Sequence, residues 1–198
     1  MPFITFLGCD GSGKSEVIRQ VASRLRADGI KVTCGHWRPE AFGGGDGGAA
    51  ATAPDPHNQQ ARGLVGSVAK LGWLWLNWWL GWGRWLRKAA AAGVVLFDRY
   101  HADLLVDPRR YRYGGPAWLA RAASRLMPQP DLVLFLDAPP EVLLARKQEV
   151  TPEALERARA RYRELARSHR RFRIIDASQP LEGVVEEVIG LIEENPKA

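Results

Sequence analysis

The sequence predicts an α/β fold in which a parallel sheet is joined by crossover helices. Three observations carry this reading. Five short apolar runs alternate with longer helical patterns, and a glycine-rich turn stands between the first run and the first helix. The 198 residues, 46% of them hydrophobic, also suffice for one substantial core, so the chain 1–198 reads as a single domain.

The runs Phe3 to Leu7, Ile30 to Cys34, Val94 to Phe97, Leu132 to Leu136 and Arg173 to Ile175 read as strands. The first helix spans about Gly13 to Asp28, with Val17, Ile18, Val21, Ala22 and Leu25 on one face and Gly29 as its stop. Between Gly43 and Gln60, clustered glycines, alanines and Pro54-Asp55-Pro56 cannot bury a face. That stretch reads as a mobile loop, either a substrate lid or a tolerated insertion. From Arg62 to Ala92 the spacing is helical, with Leu71, Trp75, Trp78, Trp82 and Trp85 forming one stripe. Trp73, Leu74, Trp79 and Leu86 widen it. Core packing accounts for most of these tryptophans, and the surplus is left for a pocket, a second subunit or lipid. Thr151-Pro152-Glu153 starts a helix that keeps Leu155, Ala158, Tyr162 and Leu165 on one side. The run from Arg157 to Arg173 reads as a solvated helix face rather than a nucleic-acid patch, because no binding motif accompanies it. A plain packing helix over Leu181 to Glu194 ends the pattern.

The net charge of +6 suits polyanions from nucleic acid to triphosphates without choosing among them. Cys9 and Cys34 form no C-x-x-C pair and join no Cys/His cluster, which argues against a disulfide framework or a zinc site and points to a reducing cytoplasm. Membrane insertion is not expected. The first apolar run reaches Gly8 without a basic leader, and Leu71 to Gly83 is bracketed by Lys70 and Arg84, short of the ~20 apolar residues of a spanning helix.

Gly8-Cys9-Asp10-Gly11-Ser12-Gly13-Lys14-Ser15 satisfies G-x-x-x-x-G-K-[ST] between a strand and an amphipathic helix. Such a turn wraps backbone N–H groups and a helix N-terminus around phosphates. Lys14 is expected to reach the β and γ phosphates of ATP, and Ser15 to ligate magnesium. Asp98 ends the apolar run Val94-Val95-Leu96-Phe97, which brings its carboxylate to the sheet edge where the glycine turn lies, and Arg99 beside it can fork onto a phosphate.

With these motifs, Asp98-Arg99-Tyr100, Leu136-Asp137-Ala138-Pro139-Pro140-Glu141 and Ile175-Asp176-Ala177-Ser178 make the chain resemble the thymidylate kinase family over nearly its whole length. The resemblance implies a five-stranded parallel sheet ringed by helices, ATP with magnesium, a nucleoside monophosphate acceptor and a homodimer, here through the tryptophan-rich helix. It further implies catalytic roles for Lys14, Asp98, Arg99 and Arg146, the last as the arginine of a short lid over 146–155. Asp98 and Ser15 would serve the metal, Asp98 and Arg99 the acceptor phosphate, and Asp10 the acceptor sugar. Gly8, Asp10, Gly11, Ser12, Gly13, Lys14 and Ser15 would bind the triphosphate, and Ala177 and Ser178 would border adenine. Arg38, in Trp37-Arg38-Pro39-Glu40, matches the family's Arg-Glu-Pro segment loosely as a further acceptor residue.

The departures bear on the acceptor. Where the family has a serine-rich stretch leading to Ala-Tyr-Gln, this chain has His101-Ala102-Asp103-Leu104-Leu105-Val106-Asp107-Pro108. Gap-free counting back from Asp98 places Leu74 and Trp78 where the family offers a Phe and an Arg to the nucleotide, so Trp78 is taken as an acceptor contact. Arg109, Arg110 and Arg112 could hold an acid other than a nucleotide, with Arg109 the chosen residue. The reading is therefore an ATP-dependent kinase whose acceptor is most readily a nucleoside monophosphate. A sugar or sugar phosphate acceptor, or nucleotide binding without turnover, are the alternatives. A GTPase is disfavoured because no Asn-Lys-x-Asp guanine reader occurs.

Overall fold

The computed structural model describes residues 2–39, 61–147 and 151–195. The stretch read as a mobile loop, Gly43 to Gln60, lies outside the described residues, as do residues 148–150 of the expected lid.

Five strands, β1 (Phe3–Leu7), β2 (Val32–His36), β3 (Val94–Asp98), β4 (Leu132–Asp137) and β5 (Phe172–Asp176), form one parallel sheet in the order β2-β3-β1-β4-β5. Because β1 is flanked by β3 and β4, the chain winds outward in both directions from its first strand. That reversal opens a crevice at the carboxyl ends of the central strands. The central strands read as continuous apolar runs because both faces of a parallel sheet are covered. Phe3, Ile4, Phe6, Leu7, Val95, Leu96, Phe97, Leu134 and Phe135 are all fully buried.

Helix α1 (Lys14–Ala27) leaves the glycine turn and presents Val17, Ile18, Val21, Ala22 and Leu25 to the core. It ends as the sequence predicts, on Gly29 at a φ of 79°. The Gly29 and Ile30 amides donate back to the carbonyls of Arg26 and Leu25. That cap is why β2 begins at Val32 and not at Ile30 as read from the sequence.

Helix α2 (Leu64–Gly81) runs through a π-helical stretch, Trp82–Leu86, into α3 (Arg87–Ala92). Its inner face is Leu71, Leu74, Trp78 and Leu86, while Trp75 and Trp79 are partly exposed. The predicted stripe is thus split. An α-helix turns 100° per residue, so Trp75 and Trp78 diverge, and the wider π turn re-phases the burial to bring Leu86 inward. Trp78 fills the space over β1 and β3, its ring 6.1 Å from that of Phe3, 5.5 Å from Phe97 and 4.8 Å from Tyr100.

Three short helices, α4 (Ala102–Val106), α5 (Ala117–Arg125) and α6 (Pro140–Arg146), were not legible in the sequence. None exceeds nine residues, too few to show a helical period against the proline and glycine around them. Helix α7 (Pro152–Ser168) starts as predicted, with the Thr151 hydroxyl accepting from the Ala154 amide. Helix α8 (Leu181–Glu193) packs against α1.

Candidate active site

The turn between β1 and α1 is built for close approach. Gly8, Gly11 and Gly13 take φ values of 152°, 84° and 81°. A Cβ at Gly8 would lie 2.7 Å from the Leu136 carbonyl oxygen, and one at Gly11 would lie 2.6 Å from that of Leu143. The turn therefore tolerates no side chain at either place, and its backbone is left facing the space above the sheet edge. Lys14 curls back over it, donating to the carbonyls of Gly8 and Cys9 at 2.9 Å each and to the Ser12 hydroxyl at 3.2 Å. Burial, reinforced by the nearby Arg99 charge, pulls the Lys14 ammonium down to about 8.

Ser15, in the first turn of α1, donates 3.0 Å to Asp98 Oδ2 at the end of β3. The other oxygen, Asp98 Oδ1, is buried with no hydrogen-bond partner among the described residues. The pairing follows from parallel register: β1 and β3 run side by side with Phe6 opposite Asp98, so the strand end and the glycine turn meet.

Arg99 adopts a φ of 72°, sparsely populated for a non-glycine residue. That turn aims its guanidinium at Asp10, 2.5 Å from Oδ1, and at Asp103, 2.8 Å from Oδ2. Arg110 takes the second oxygen of Asp10, also at 2.5 Å. Asp103 in turn accepts from the phenols of Tyr162 at 2.8 Å and Tyr111 at 3.2 Å. Burial opposes the charge on Arg99, but Asp103 and, more weakly, Asp10 outweigh it and hold the group well above its usual range. Burial and the Asp103 charge push both phenols up, so they remain neutral donors. This closed network of six side chains was not foreseen beyond Asp10, Arg99 and the arginine cluster that contains Arg110. The signal was the four-residue spacing of Arg99 and Asp103.

The network forms the floor of a cavity of about 610 Å³ that α7 overhangs. Arg109 lines it, and so do Arg110, Arg157 and Arg161. The reading of α7 as a solvated arginine face holds for Arg157, Arg161 and Arg167, which are exposed, and is corrected for Arg159 and Arg163. Arg157 and Arg161, four apart, face the cavity, whereas Arg159 and Arg163, also four apart, bind Asp137 at the end of β4 at 2.8 and 2.6 Å. Solvent claims only part of the helix.

The remaining predicted residues fall into four places. Arg146 donates 3.0 Å to the Ala177 carbonyl and borders a smaller crevice, about 190 Å³, with Ser12, Gly13, Glu16 and Gln179. Ser178 turns onto Asp176, its amide 2.9 Å and its hydroxyl 2.5 Å from Oδ1. Arg38 lies over the rings of Trp73 and Trp37 at 4.9 and 5.7 Å, outside the cavity lining. Trp78 is not at the site: it is fully buried in the core and lines neither cavity. The gap-free count that placed it near the acceptor measured chain distance, not the face of the helix.

A glycine-wrapped turn at the switch point of a parallel sheet, with a buried lysine and a Ser–Asp pair across two strands, defines a P-loop phosphotransferase. The sequence model of the thymidylate kinase family matches residues 84–188. Over 211 aligned residues, 96% of this chain and 93% of the relative, the chain is 32% identical to the thymidylate kinase of Ruegeria pomeroyi. It is 29% identical over 122 residues, 56% of this chain and 60% of the relative, to a probable thymidylate kinase 1 of Saccharolobus solfataricus. The chain belongs to the thymidylate kinase family.

Proposed function

We propose that the protein transfers the γ-phosphoryl group of ATP to the phosphate of a nucleoside monophosphate, with the residues assigned as follows. The observation that carries the assignment is the Ser15–Asp98 pair, 3.0 Å apart beside Lys14. Magnesium fits this pair. A hydroxyl and a carboxylate with one oxygen otherwise unsatisfied form the sparse oxygen set that Mg²⁺ takes while keeping waters and phosphate oxygens. When bound, the ion offsets charge on the transferring phosphate.

An oxygen of the acceptor phosphate forms a new bond to the γ phosphorus while the bond from that phosphorus to the β,γ-bridging oxygen breaks, and ADP leaves with the electron pair. Lys14 neutralises the moving group, exchanging the carbonyls it now holds for phosphate oxygens. Asp98 and Arg99 position the acceptor phosphate, and Asp10 is held ready for the acceptor by Arg99 and Arg110. Arg146, with Ala177 and Ser178, takes the adenine side, a role supported by its bond to the Ala177 carbonyl.

The two free thiols, Cys9 and Cys34, suit the cytoplasm. The outer row of α2, with Val68, Trp75, Leu76 and Trp79 all exposed by more than a third, supports a homodimer through this helix. No helix among the described residues is long and apolar enough to cross a membrane.

Initial rates of ADP release with ATP, magnesium and a panel of nucleoside monophosphates test the assignment. Turnover that requires a nucleotide acceptor is the expected result. ATP binding with no acceptor-dependent turnover would overturn it.

A further inference from the structure

The cavity beneath α7 carries more positive charge than its own side chains neutralise. Five arginines line it against three aspartates. Arg99 is committed to Asp103 and Asp10, and Arg110 to the other oxygen of Asp10. Arg161 donates 2.7 Å to the Val106 carbonyl, a neutral partner that leaves its charge uncompensated. The side chains of Arg109 and Arg157 border the same space and make no hydrogen bond or salt bridge with a described residue, although Arg157, exposed on α7, helps to hold the Glu153 carboxyl down. With Asp107 as the remaining acid, its Oδ1 accepting from the Arg110 amide at 3.1 Å, the surplus of positive charge is spread over Arg109, Arg157 and Arg161.

The cavity is also poorly equipped to read a base. Its described lining contains no Asn, Gln, Ser or Thr, the side chains that hydrogen-bond a base edge with both donor and acceptor. Of the three tyrosine rings on which a base could stack, Tyr111 is covered on one face by Trp37, with centroids 4.9 Å apart and planes at 11°, and Tyr162 by Phe135 at 4.8 Å, which leaves Tyr113. Chemistry that selects charge thus replaces chemistry that selects a base.

Resting on the nucleoside monophosphate kinase reading, we propose that Arg109, Arg157 and Arg161 form an anion subsite for the end of the acceptor away from the P-loop, so that the preferred acceptor is a nucleotide bearing a second phosphate, the class of the nucleoside bisphosphates. Three guanidinium groups bordering one cavity offer more donors than the two oxygens of a carboxylate can use, and the three free oxygens of a phosphomonoester suit them better. One phosphate of the acceptor accepts the γ-phosphoryl group as described above, and the second is held unchanged.

The test compares initial rates for adenosine 5′-monophosphate with adenosine 3′,5′-bisphosphate, and for thymidine 5′-monophosphate with thymidine 3′,5′-bisphosphate, under saturating ATP and magnesium. The bisphosphate of each pair is expected to show kcat/KM higher by about 10- to 100-fold, the range set by charge-assisted hydrogen bonds. Arg157→Gln combined with Arg161→Gln is expected to bring each ratio close to one, and Arg109→Gln to reduce it. Thermal unfolding checks that the variants fold, and the Arg109 variant, on a different element, keeps the test open if the double variant does not. Equal kcat/KM within each pair, with clear turnover of the monophosphates, would overturn the subsite and leave the kinase reading standing. Turnover of none of the four would overturn both.

Discussion

The hydroxyl of Ser15 lies 3.0 Å from Asp98 Oδ2, a bond that spans 83 residues of sequence and two adjacent strands. It joins the start of α1 to the end of β3 at the place where a phosphoryl group would move. Asp98→Asn keeps the shape and the hydrogen bond but removes the charge. The expected result is a fall in kcat of about 100-fold or more with little change in ATP affinity, since the carboxylate acts on the moving group and not on the nucleotide as a whole. Steady-state kinetics beside an equilibrium ATP titration distinguishes the two, and equal losses in both would reduce Asp98 to shaping the nucleotide site.

Lys14→Ala is expected to abolish transfer while leaving the circular dichroism unchanged, because the side chain contacts loop carbonyls rather than the apolar core. The intact protein should also reveal this lysine in its pH profile. With the ammonium held down to about 8, it is charged below that pH and neutral above it. Accordingly kcat/KM for ATP should decline as pH rises through about 8, where an unperturbed lysine at 10.5 would hold it flat. A profile level to pH 9.5 would contradict the assigned role.

The two faces of α2 should respond differently. Trp78→Ala empties a fully buried site against Phe3, Phe97 and Tyr100 and is expected to cost about 3–5 kcal/mol of stability, read as a shift in the urea midpoint. Trp75→Glu, on the partly exposed row, should leave the midpoint of the separated subunit nearly unchanged and convert a dimer to monomer in sedimentation velocity. A monomeric wild-type protein would refute the assembly through α2.

Thymidine 5′-monophosphate is expected to be a poor acceptor, with kcat/KM below the ~10⁴ M⁻¹s⁻¹ common for an enzyme with its own substrate. The segment from Asp103 to Pro108 carries no amide to read thymine, and Asp103 is committed to Arg99 and two phenols. Saturable, efficient ADP release with this nucleotide would restore thymidylate as the substrate.

Gly8 to Ser15, Asp98-Arg99 and the five strands were legible in the sequence because each is written in contiguous residues. A glycine turn, an apolar run and the acid that ends it need no knowledge of what lies across the fold. Arg157 to Arg163 show the limit of that reading. From spacing alone they form a charged helix surface, and only the packing of α7 divides them into a pair turned onto Asp137 and an exposed pair bordering the cavity. Trp78 shows the same limit from the other side, since counting residues from Asp98 measures position along a helix and not the direction in which its side chain points.

By itself, then, the sequence determined the phosphate-binding turn, the parallel α/β architecture and the family, all of which depend on local conformational preference and on burial averaged along each strand. Only the tertiary structure decided that Arg99 is shared between Asp10 and Asp103, that Trp78 belongs to the core, and that Arg159 and Arg163 of α7 turn onto Asp137 while Arg157 and Arg161 border the cavity. The reason is physical. A charge in a buried site takes its meaning from the partners within a few ångströms, and those partners, 89 residues apart for Arg99 and Asp10, are brought together by the crossovers of the sheet.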